Sequence, residues 1–396
     1  MISVTEALGL INATSVPERI KPMRIEKTLG LILGEDITAP INMPPFRQSA
    51  MDGYAFIWSE NDNIVLHVID TFKAGDTTNI DLKPEEAVRI FTGAKVPDQA
   101  DTVVMQEHVN TKDQQAIIIK APKKGANVRP VGEQVKKGDV VLKKGLQINE
   151  ATIGFLAGLG IRKVAVIKPP KIAILVTGNE LQNAGTPLAD GAIYESNSIM
   201  LKMALKRFGY SKVKIFRARD TLKATKQGIK KGLKFGDVLL ISGGISVGDY
   251  DFVKEALESK KVKAHFYKIN QKPGKPLWFG QKDQKFVFAL PGNPASALTC
   301  FYVYALPLIK KISGIKTPHL QRTEARISSD FNNNSGKSLF LKATLKDNEL
   351  SILQGQQSSM LHTFSSSNVL AYIPEDVKTI SKGDAITCIK LNSYGN

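Results

Sequence analysis

Cysteine is almost absent from this sequence, which has two of them, Cys300 and Cys388, among 396 residues. Neither lies near another cysteine or a pair of histidines along the chain. A disulfide framework and a zinc cage are therefore both disfavoured. We expect two reduced structural thiols, one in an apolar helix and one in a strand.

Long apolar runs are also missing. No segment reaches the roughly 20 apolar residues that span a bilayer, and the N-terminal segment lacks the basic region and small-residue cleavage site of a signal peptide. Instead, Ser3 and Glu6 have the spacing of a helix capping box, which predicts a helix at the N-terminus. These features predict a cytoplasmic protein that binds no membrane.

Negative charge is in short supply, because 37 acidic residues face 54 basic ones and the net charge is +17 at pH 7. The lysines are scattered in pairs such as Lys123-Lys124, and no zinc-finger, ribonucleoprotein or basic-zipper pattern accompanies them. A lysine-rich background accounts for much of this excess. What remains favours attraction of a polyanionic small substrate over binding of nucleic acid.

The patterns along the chain divide it into four regions. Apolar residues recur at helical spacing in residues 4–13 and 29–33, and a further helix is predicted after Asn149. Short β-rich runs between these helices predict an inserted β-lobe. Strands and amphipathic helices then alternate, which predicts a mostly parallel sheet covered on both faces, before a β-rich tail. We place these regions at residues 1–43 with 144–168 (helical), 44–143 (inserted β), 169–316 (α/β) and 317–396 (β).

Three predicted strands of the α/β region end in unusual, mostly glycine-rich loops, at residues 178–181, 243–251 and 291–296. Ligands of parallel sheets bind beyond the carboxyl ends of the strands, where glycines let backbone N–H groups approach an anion. One such loop is often an ordinary turn, but three at one predicted edge favour a ligand site. Neither the Walker A pattern nor the dinucleotide-binding glycine pattern occurs, which disfavours a kinase or a nicotinamide enzyme.

Lysines and carboxylates accompany these loops. Lys268, Lys272 and Lys275 surround a Pro-Gly turn, which we interpret as an oxyanion and phosphate clamp, with a solvated lysine face as the alternative. The carboxylates at loop positions are Glu180, Asp220, Asp249 and Asp251. Acids beside phosphate-binding turns indicate Mg²⁺, although Asp251 alone is equally well explained as a helix cap.

Seven motifs in this order resemble the MoeA-type molybdopterin molybdenumtransferases, which are related to the C-terminal enzyme part of gephyrin and its plant counterpart. They are PPFRQSAMDGYA (44–55), FTGA (91–94), VRPVGE (128–133), TGNEL (177–181), SGGISVGDYD (242–251), KPGKP (272–276) and LPGNP (290–294). The resemblance covers essentially the whole chain. It implies a multidomain α/β plus β fold, with a helical linking domain, an inserted small β-domain, a central α/β molybdopterin-binding domain with a mostly parallel sheet, and a C-terminal β-barrel. It also implies a homodimer whose active site lies between the α/β domain of one subunit and the inserted β-domain of the other.

The resemblance also implies residue roles. Asp52 and Thr92 face the active site from the β-domain, with Arg129 nearby. The carboxylates around Mg²⁺ and the pterin phosphate are Glu180, Asp220 and Asp251. The lysines at the molybdate and phosphate, which we count with Asp52, Thr92, Asp220 and Asp251 as catalytic, are Lys268, Lys272 and Lys275. The further substrate-binding residues are Gly178, Gly243, Gly244, Ser246, Gly248, Asp249, Pro291, Gly292, Asn293, Pro294, Ser296, Arg322 and Ser358.

The implied activity is insertion of molybdate into the dithiolene of an adenylylated molybdopterin with release of AMP, with other cofactor-assembly enzymes as further partners. Two alternatives from other classes stay open: an adenylyltransferase that acts one step earlier, and a non-catalytic scaffold of the gephyrin type. One departure from the pattern is Gln134, where many relatives carry an acid; the neighbouring Glu133 could substitute for it.

Overall fold

The computed structural model describes residues 1–61, 64–245 and 252–391. The chain folds into two compact units. Unit 1 comprises Met1–Lys21, Gly30–Ile32 and Val166–Asn396. Unit 2 comprises Pro22–Leu29 and Leu33–Ala165.

Unit 2 is built on a six-stranded sheet. Buried apolar side chains such as Val88 and Val103 fill one of its core clusters, and Phe56 and Leu66 fill another. This matches the β-rich insertion expected from the short alternating runs. In spatial order, the strands are Thr102–Met105, Gly53–Phe56, Glu86–Ile90, Val65–Phe72, Gln115–Ile118 and Val109–Lys112.

Smaller elements complete unit 2. Two short pairs are Ile37–Thr38 with Val140–Leu142 and Gln48–Ser49 with Val128–Arg129. The predicted helix after Asn149 is confirmed at Glu150–Gly158, where the Asn149 side chain accepts a hydrogen bond from Thr152 N at 2.8 Å.

The helical prediction for residues 29–33 is wrong. This stretch forms a turn and a bridge, preceded by a single 3₁₀ turn at Ile25–Lys27. Gly30 adopts a left-handed φ of 76° and interrupts any helix there. The spacing of Leu29, Ile32 and Leu33 therefore reflects separate contacts, and Leu29 is largely exposed while Leu33 is buried.

The N-terminal helix of unit 1, Val4–Ala13, begins with the predicted capping box, in which Ser3 and Glu6 exchange hydrogen bonds. Its buried face, Val4, Ala7 and Ile11, packs into the main apolar core of unit 1. The helices at 4–13 and 150–158 thus belong to different compact units.

A six-stranded sheet forms the centre of unit 1. Four neighbouring strands are parallel, as predicted, and are covered by helices Asn197–Arg207, Leu222–Phe235 and Val253–Ser259 together with the apolar helix after residue 293. Two further strands, which the sequence patterns did not reveal, extend the sheet in antiparallel fashion. The spatial order is Val213–Ala218, Ile172–Thr177, Val238–Ser242, Lys285–Leu290, Trp278–Lys282 and Lys263–Tyr267.

The apolar helix at Pro294–Ile312 is the one described helix long and apolar enough to cross a membrane by length and composition, and 89% of that stretch is buried inside the protein. It comprises Pro294–Cys300 and Leu306–Ile312, separated by a π-helical turn at Phe301–Ala305. Cys300 lies within it, fully buried, as expected for a structural thiol.

The β-rich tail closes into a barrel. Its strands are Arg322–Ile327, Ser338–Lys346, Glu349–Ile352, Val369–Ile373 and Ala385–Lys390. Pairing of the second with the fourth closes the ring, which confirms the predicted C-terminal barrel. Cys388 is buried in its wall. Short pieces beside it are the helix His362–Ser365 and the strands Phe331–Asn332 and Thr379–Ile380.

Candidate active site

Three loops of unit 1 start at the same edge of the central sheet. Val176, Ser242 and Leu290 are lateral neighbours at the carboxyl ends of three adjacent parallel strands. The loops that follow these strands are the ones predicted to hold a ligand. Because parallel strands end together, residues 178–181, 243–245 and 291–294 gather at one place.

The second of these loops needs glycine at two consecutive positions. Gly243 and Gly244 have φ values of 95° and 63°. A Cβ on Gly243 would lie 2.6 Å from the carbonyl oxygen of Thr177, and one on Gly244 would lie 2.9 Å from Val253. The turn therefore packs closely on the end of the neighbouring strand, which no larger residue allows.

A cavity of about 1310 Å³ opens above this edge. Its wall contains the strand-end loops, the lysine segment 271–276 and a loop of the barrel at residues 353–359. Twelve of the predicted site residues line it: Glu180, Asp220, Gly243, Gly244, Lys272, Lys275, Pro291, Gly292, Asn293, Pro294, Ser296 and Ser358.

Other predicted residues lie elsewhere. Gly178 lines a smaller neighbouring pocket of about 290 Å³. Lys268 does not line the cavity; its ammonium lies over the Tyr267 ring, 4.9 Å from the ring centroid. Arg322 is exposed on a barrel strand and is not part of the cavity wall. The predictions for Ser246, Gly248, Asp249 and Asp251 fall outside the described residues.

Carboxylates come from the strands at one end of the sheet. Asp220 accepts a hydrogen bond from Asn179 N at 3.3 Å, and its own N–H donates to Asn179 Oδ1 at 3.1 Å. Glu195, which is 4% exposed, accepts from Ser198 N at 2.7 Å and lies 3.6 Å from the Arg217 guanidinium. Within residues 1–61, 64–245 and 252–391, no three acids, histidines or cysteines form a metal-binding group.

Lysines come from the other side of the cavity. Lys272 and Lys275 are exposed, and Lys337 is half-buried. None of the three forms an ion pair with a carboxylate in the described part of the chain. The cavity wall therefore carries three positive charges that no ion pair among the described residues neutralises, which favours binding of a multiply charged anion.

The lysine segment rests on a buried polar network. Gln271, which is 1% exposed, donates from Nε2 to Pro273 O at 3.0 Å and accepts a hydrogen bond from Tyr304 in the π-helical turn. Gly274 has a φ of 91°, and a Cβ there would lie 2.4 Å from Cys300 Sγ. Burial raises the pKa of the Cys300 thiol and of the Tyr304 hydroxyl well above their ordinary values, so both stay neutral.

Backbone pairing also ties the lysine segment to the barrel. Gln271 and Lys272 pair in parallel register with Ser338 and Leu339 of the barrel. Lys337 immediately precedes Ser338, and both Lys272 and Lys337 line the cavity. Lys337 is thus a cavity-lining cation that the sequence patterns did not reveal, whereas Arg322 is not part of the cavity wall.

The helix N-terminus after the third loop meets the barrel loop. Asn293 occupies the N-cap position and Pro294 begins the helix, but the Asn293 side chain donates to Ser358 Oγ at 2.8 Å instead of capping. The carbonyl oxygen of Ser358 accepts from Ala295 N at 3.1 Å and Ser296 N at 3.4 Å. The Ser358 carbonyl oxygen thus accepts hydrogen bonds from two of the first N–H groups of this helix.

Asn197 is a site residue that the sequence patterns missed. Its Nδ2 donates to Ser242 Oγ at 2.8 Å and to Gly292 O at 2.7 Å, which connects two of the three loops. Its Oδ1 and the Oγ1 of Thr177 are the buried side-chain oxygens that lack a hydrogen-bond partner among the described residues. A ligand with N–H or O–H donors would satisfy both.

In unit 2, Asp52 and Thr92 form a compact pair. Asp52 Oδ1 accepts from Thr92 N at 2.8 Å and from Thr92 Oγ1 at 2.7 Å. Hydrogen bonds from the Thr92 backbone and side chain, followed by the charge of Arg89, lower the pKa of Asp52 below its ordinary value. Arg89 was not predicted; it donates to Gly53 O at 3.2 Å and lies over the Tyr54 ring, 5.0 Å from its centroid. Arg129 is exposed on the short strand Val128–Arg129 of the same unit.

A Thr92→Val variant is expected to raise the pKa of Asp52 towards its ordinary value, because one of the two hydrogen bonds to the carboxylate is lost. A carboxyl whose pKa is depressed in the folded state stabilises that state above the unfolded pKa, and the effect is lost as pH falls through the folded pKa. The destabilisation of Thr92→Val should therefore be largest near neutral pH and shrink in acid. NMR titration of the Asp52 carboxyl and urea unfolding at several pH values test this; an unchanged pKa contradicts it.

Three family profiles match this chain in consecutive order. Residues 2–160 match the MoeA N-terminal region (domain I and II), residues 173–311 match a probable molybdopterin binding domain, and residues 324–391 match the MoeA C-terminal region (domain IV). Together they cover nearly all of the described residues.

Curated relatives match this chain over nearly its full length. The molybdopterin molybdenumtransferase of Haemophilus influenzae is 34% identical and the alignment covers 99% of both chains. That of Staphylococcus epidermidis is 33% identical over 99% of this chain and 96% of its own. Among solved structures, a molybdopterin biosynthesis MoeA protein from Pyrococcus horikosii has a TM-score of 0.86 with 30% identity and covers 100% of both chains.

Proposed function

Because this chain belongs to the MoeA family of molybdopterin molybdenumtransferases, we propose that it inserts molybdate into an adenylylated molybdopterin and releases AMP. Its place as a transferase in molybdenum cofactor biosynthesis follows from the family. That the substrate carries an adenylyl group is our proposal beyond the family assignment. The observation that supports it is the cavity of unit 1, a space of about 1310 Å³ lined by carboxylates and by lysines that form no ion pair among the described residues.

The two ends of the cavity suit the two ends of such a substrate. Molybdate is a tetrahedral dianion, and the ammonium groups of Lys272, Lys275 and Lys337 are point charges suited to it. The glycine turn at Gly243–Gly244 exposes backbone to a phosphate, while Thr177 and Asn197 offer unpaired oxygens to donors on a pterin ring. An adenylylated molybdopterin with molybdate beside it would contact both the lysines and the glycine turn.

Mg²⁺ is the proposed cofactor. Glu180 and Asp220 line the cavity, and Asp251 is the third proposed ligand, outside the described residues. Two or three carboxylates fit Mg²⁺, which keeps several waters and takes further oxygens from substrate phosphates. When bound, it would neutralise the charge of the phosphoanhydride.

In the proposed reaction, the two thiol groups of the dithiolene bond to molybdenum through sulfur and give their two protons to one oxo ligand of molybdate, which leaves as water. A second water molecule cleaves the phosphoanhydride to release AMP and the pterin phosphate. The protein positions the reactants and stabilises their charge, and no nucleophilic side chain is required. The lowered pKa of Asp52 keeps it a carboxylate at neutral pH, so we assign it an accepting and aligning role rather than that of a proton donor.

We further propose that the enzyme is a homodimer in which the cavity of one subunit is completed by Asp52 and Thr92 of the partner subunit. Exposed apolar side chains on unit 1 support an interface between copies. Ile199 is 54% and Met203 is 44% exposed on one helix, and Leu10 is 41% exposed on another.

We place the enzyme in the cytoplasm, with other cofactor-assembly enzymes as partners and without a nucleic-acid or membrane partner. The burial of the apolar helix at Pro294–Ile312 supports this placement, as does the dispersed arrangement of the lysines.

The test is AMP release by the purified full chain supplied with adenylylated molybdopterin, Mg²⁺ and molybdate. We expect one AMP per pterin and dependence on molybdate. Pterin with ATP instead should give no adenylylated product, whereas its formation would favour the adenylyltransferase. Absence of AMP release with molybdate present would favour the scaffold and contradict the proposal. Tungstate run in parallel measures the selectivity for the oxyanion.

A further inference from the structure

A buried lysine lies behind the cavity wall. Lys342, on the barrel strand Ser338–Lys346, is 2% exposed. Among the residues that the structure describes, it forms no ion pair with a carboxylate. An ammonium taken out of water without a counter-charge is costly, so its retention here calls for a compensating arrangement.

The compensation comes from the barrel loop, residues 353–361. Lys342 Nζ donates to the carbonyl oxygens of Gly355 at 2.7 Å, Met360 at 2.9 Å and Gln357 at 3.5 Å. The Phe364 ring also faces the ammonium, with its centroid 5.9 Å away. Burial lowers the pKa of Lys342 below its ordinary value, and the carbonyl oxygens oppose this by favouring the charged form.

These contacts decide what the barrel loop shows to the cavity. Gly355, Gln357 and Ser358 all line the cavity. The carbonyl oxygens of the first two point to Lys342, and that of Ser358 accepts from the N-terminus of the Pro294–Cys300 helix. The negative ends of these peptide dipoles are therefore turned away from an anion in the cavity. Gln356, which hydrogen-bonds the Lys342 backbone at 3.0 Å, holds the loop in the same register.

We propose that Lys342 is a positioning residue for oxyanion binding. It withdraws carbonyl oxygens of the barrel loop from the cavity and places a positive charge, which no described carboxylate neutralises, one peptide group behind that loop. The identity of the oxyanion as molybdate rests on the proposed function. The electrostatic role itself applies to any tetrahedral dianion. It adds a buried cation to the three lysines that line the cavity.

The test is equilibrium binding of inorganic molybdate, and separately of inorganic phosphate, to the full-length protein. Two neutral variants, Lys342→Gln and Lys342→Met, are used because the first still donates a hydrogen bond to the loop. We expect both to bind about tenfold more weakly, since a unit charge acts on the dianion through a poorly screened path. Lys342→Arg retains the charge and should restore most of the affinity.

Thr363→Val is the matched control. Thr363 Oγ1 donates to the same Gly355 carbonyl at 3.0 Å, so this variant loosens the barrel loop without removing a charge. It should bind both anions as the wild type does. Wild-type affinity in a folded Lys342→Gln or Lys342→Met protein overturns the role of Lys342, as does an equal loss in Thr363→Val. Anion affinity is measured without pterin, so it tests the role of Lys342 alone. AMP release by the wild type tests the proposed function separately.

Discussion

A Lys275→Met variant is expected to release AMP about a hundredfold more slowly than the wild type, the scale on which loss of one preorganised charge acts in a catalytic site. Lys275 lines the cavity and is exposed to it, and in the described part of the chain it has no carboxylate partner. In the proposed reaction, its charge is therefore available to molybdate or to the phosphate of the departing AMP. Lys272→Met should behave similarly, since Lys272 lies at the other end of the same turn.

Both variants should fold as the wild type does, because an exposed lysine contributes little to stability. Steady-state AMP release at several molybdate concentrations separates loss of binding from loss of rate. Lys263→Met is the matched control, as Lys263 is an exposed lysine of the central sheet that does not line the cavity. A wild-type rate in Lys275→Met and Lys272→Met together would remove the oxyanion clamp from the mechanism.

Gly274→Ala is expected to destabilise unit 1 by about 2–5 kcal/mol and to abolish most AMP release. A left-handed alanine costs about 1–2 kcal/mol, and overpacking of a buried site adds about 1–3 kcal/mol. The overpacking follows from the 2.4 Å approach of the added Cβ to Cys300 Sγ and the 3.0 Å approach to Gln271 Nε2. Relief of this clash moves the turn that carries Lys272 and Lys275. Urea unfolding and AMP release measure the two effects.

Gly383→Ala isolates the backbone part of that effect. Gly383 lies in a barrel turn and has the same φ of 91°, but a Cβ at this position would meet no atom within 4 Å. This control should lose only about 1–2 kcal/mol and keep wild-type AMP release. Equal losses in the two variants would mean that contact with Cys300 does not fix the lysine turn.

The sequence was sufficient for the strand-end loops because their position follows from a local rule. Alternating apolar strands and helices predict a parallel sheet, and the carboxyl ends of such strands meet at one edge. Gly243, Asn293 and Asp220 were placed near one another on that basis, and all three line one cavity. The helix caps at Ser3 and Asn149 could also be predicted from the sequence, since a cap depends on residues three positions away.

Contacts between segments far apart in the chain could not be predicted from the sequence. Lys337 reaches the cavity because Gln271–Lys272 pairs with a barrel strand that lies far along the chain, and no local pattern encodes that pairing. Asn197 depends likewise on Ser242 and Gly292. The helical prediction for residues 29–33 failed because apolar spacing cannot distinguish a helix from a turn whose residues pack separately.

The pairing of Gln271–Lys272 with Ser338–Lys346 joins the lysine segment to the barrel within unit 1. Ser338 N also donates to Asn270 O at 3.1 Å beside this pairing. A chain shortened before the barrel would lose Lys337 and Ser358, and its remaining lysines would lose the ladder that sets their spacing. A chain that keeps only the central sheet and its helices would therefore retain the three strand-end loops but lose the part of the cavity wall that the barrel supplies.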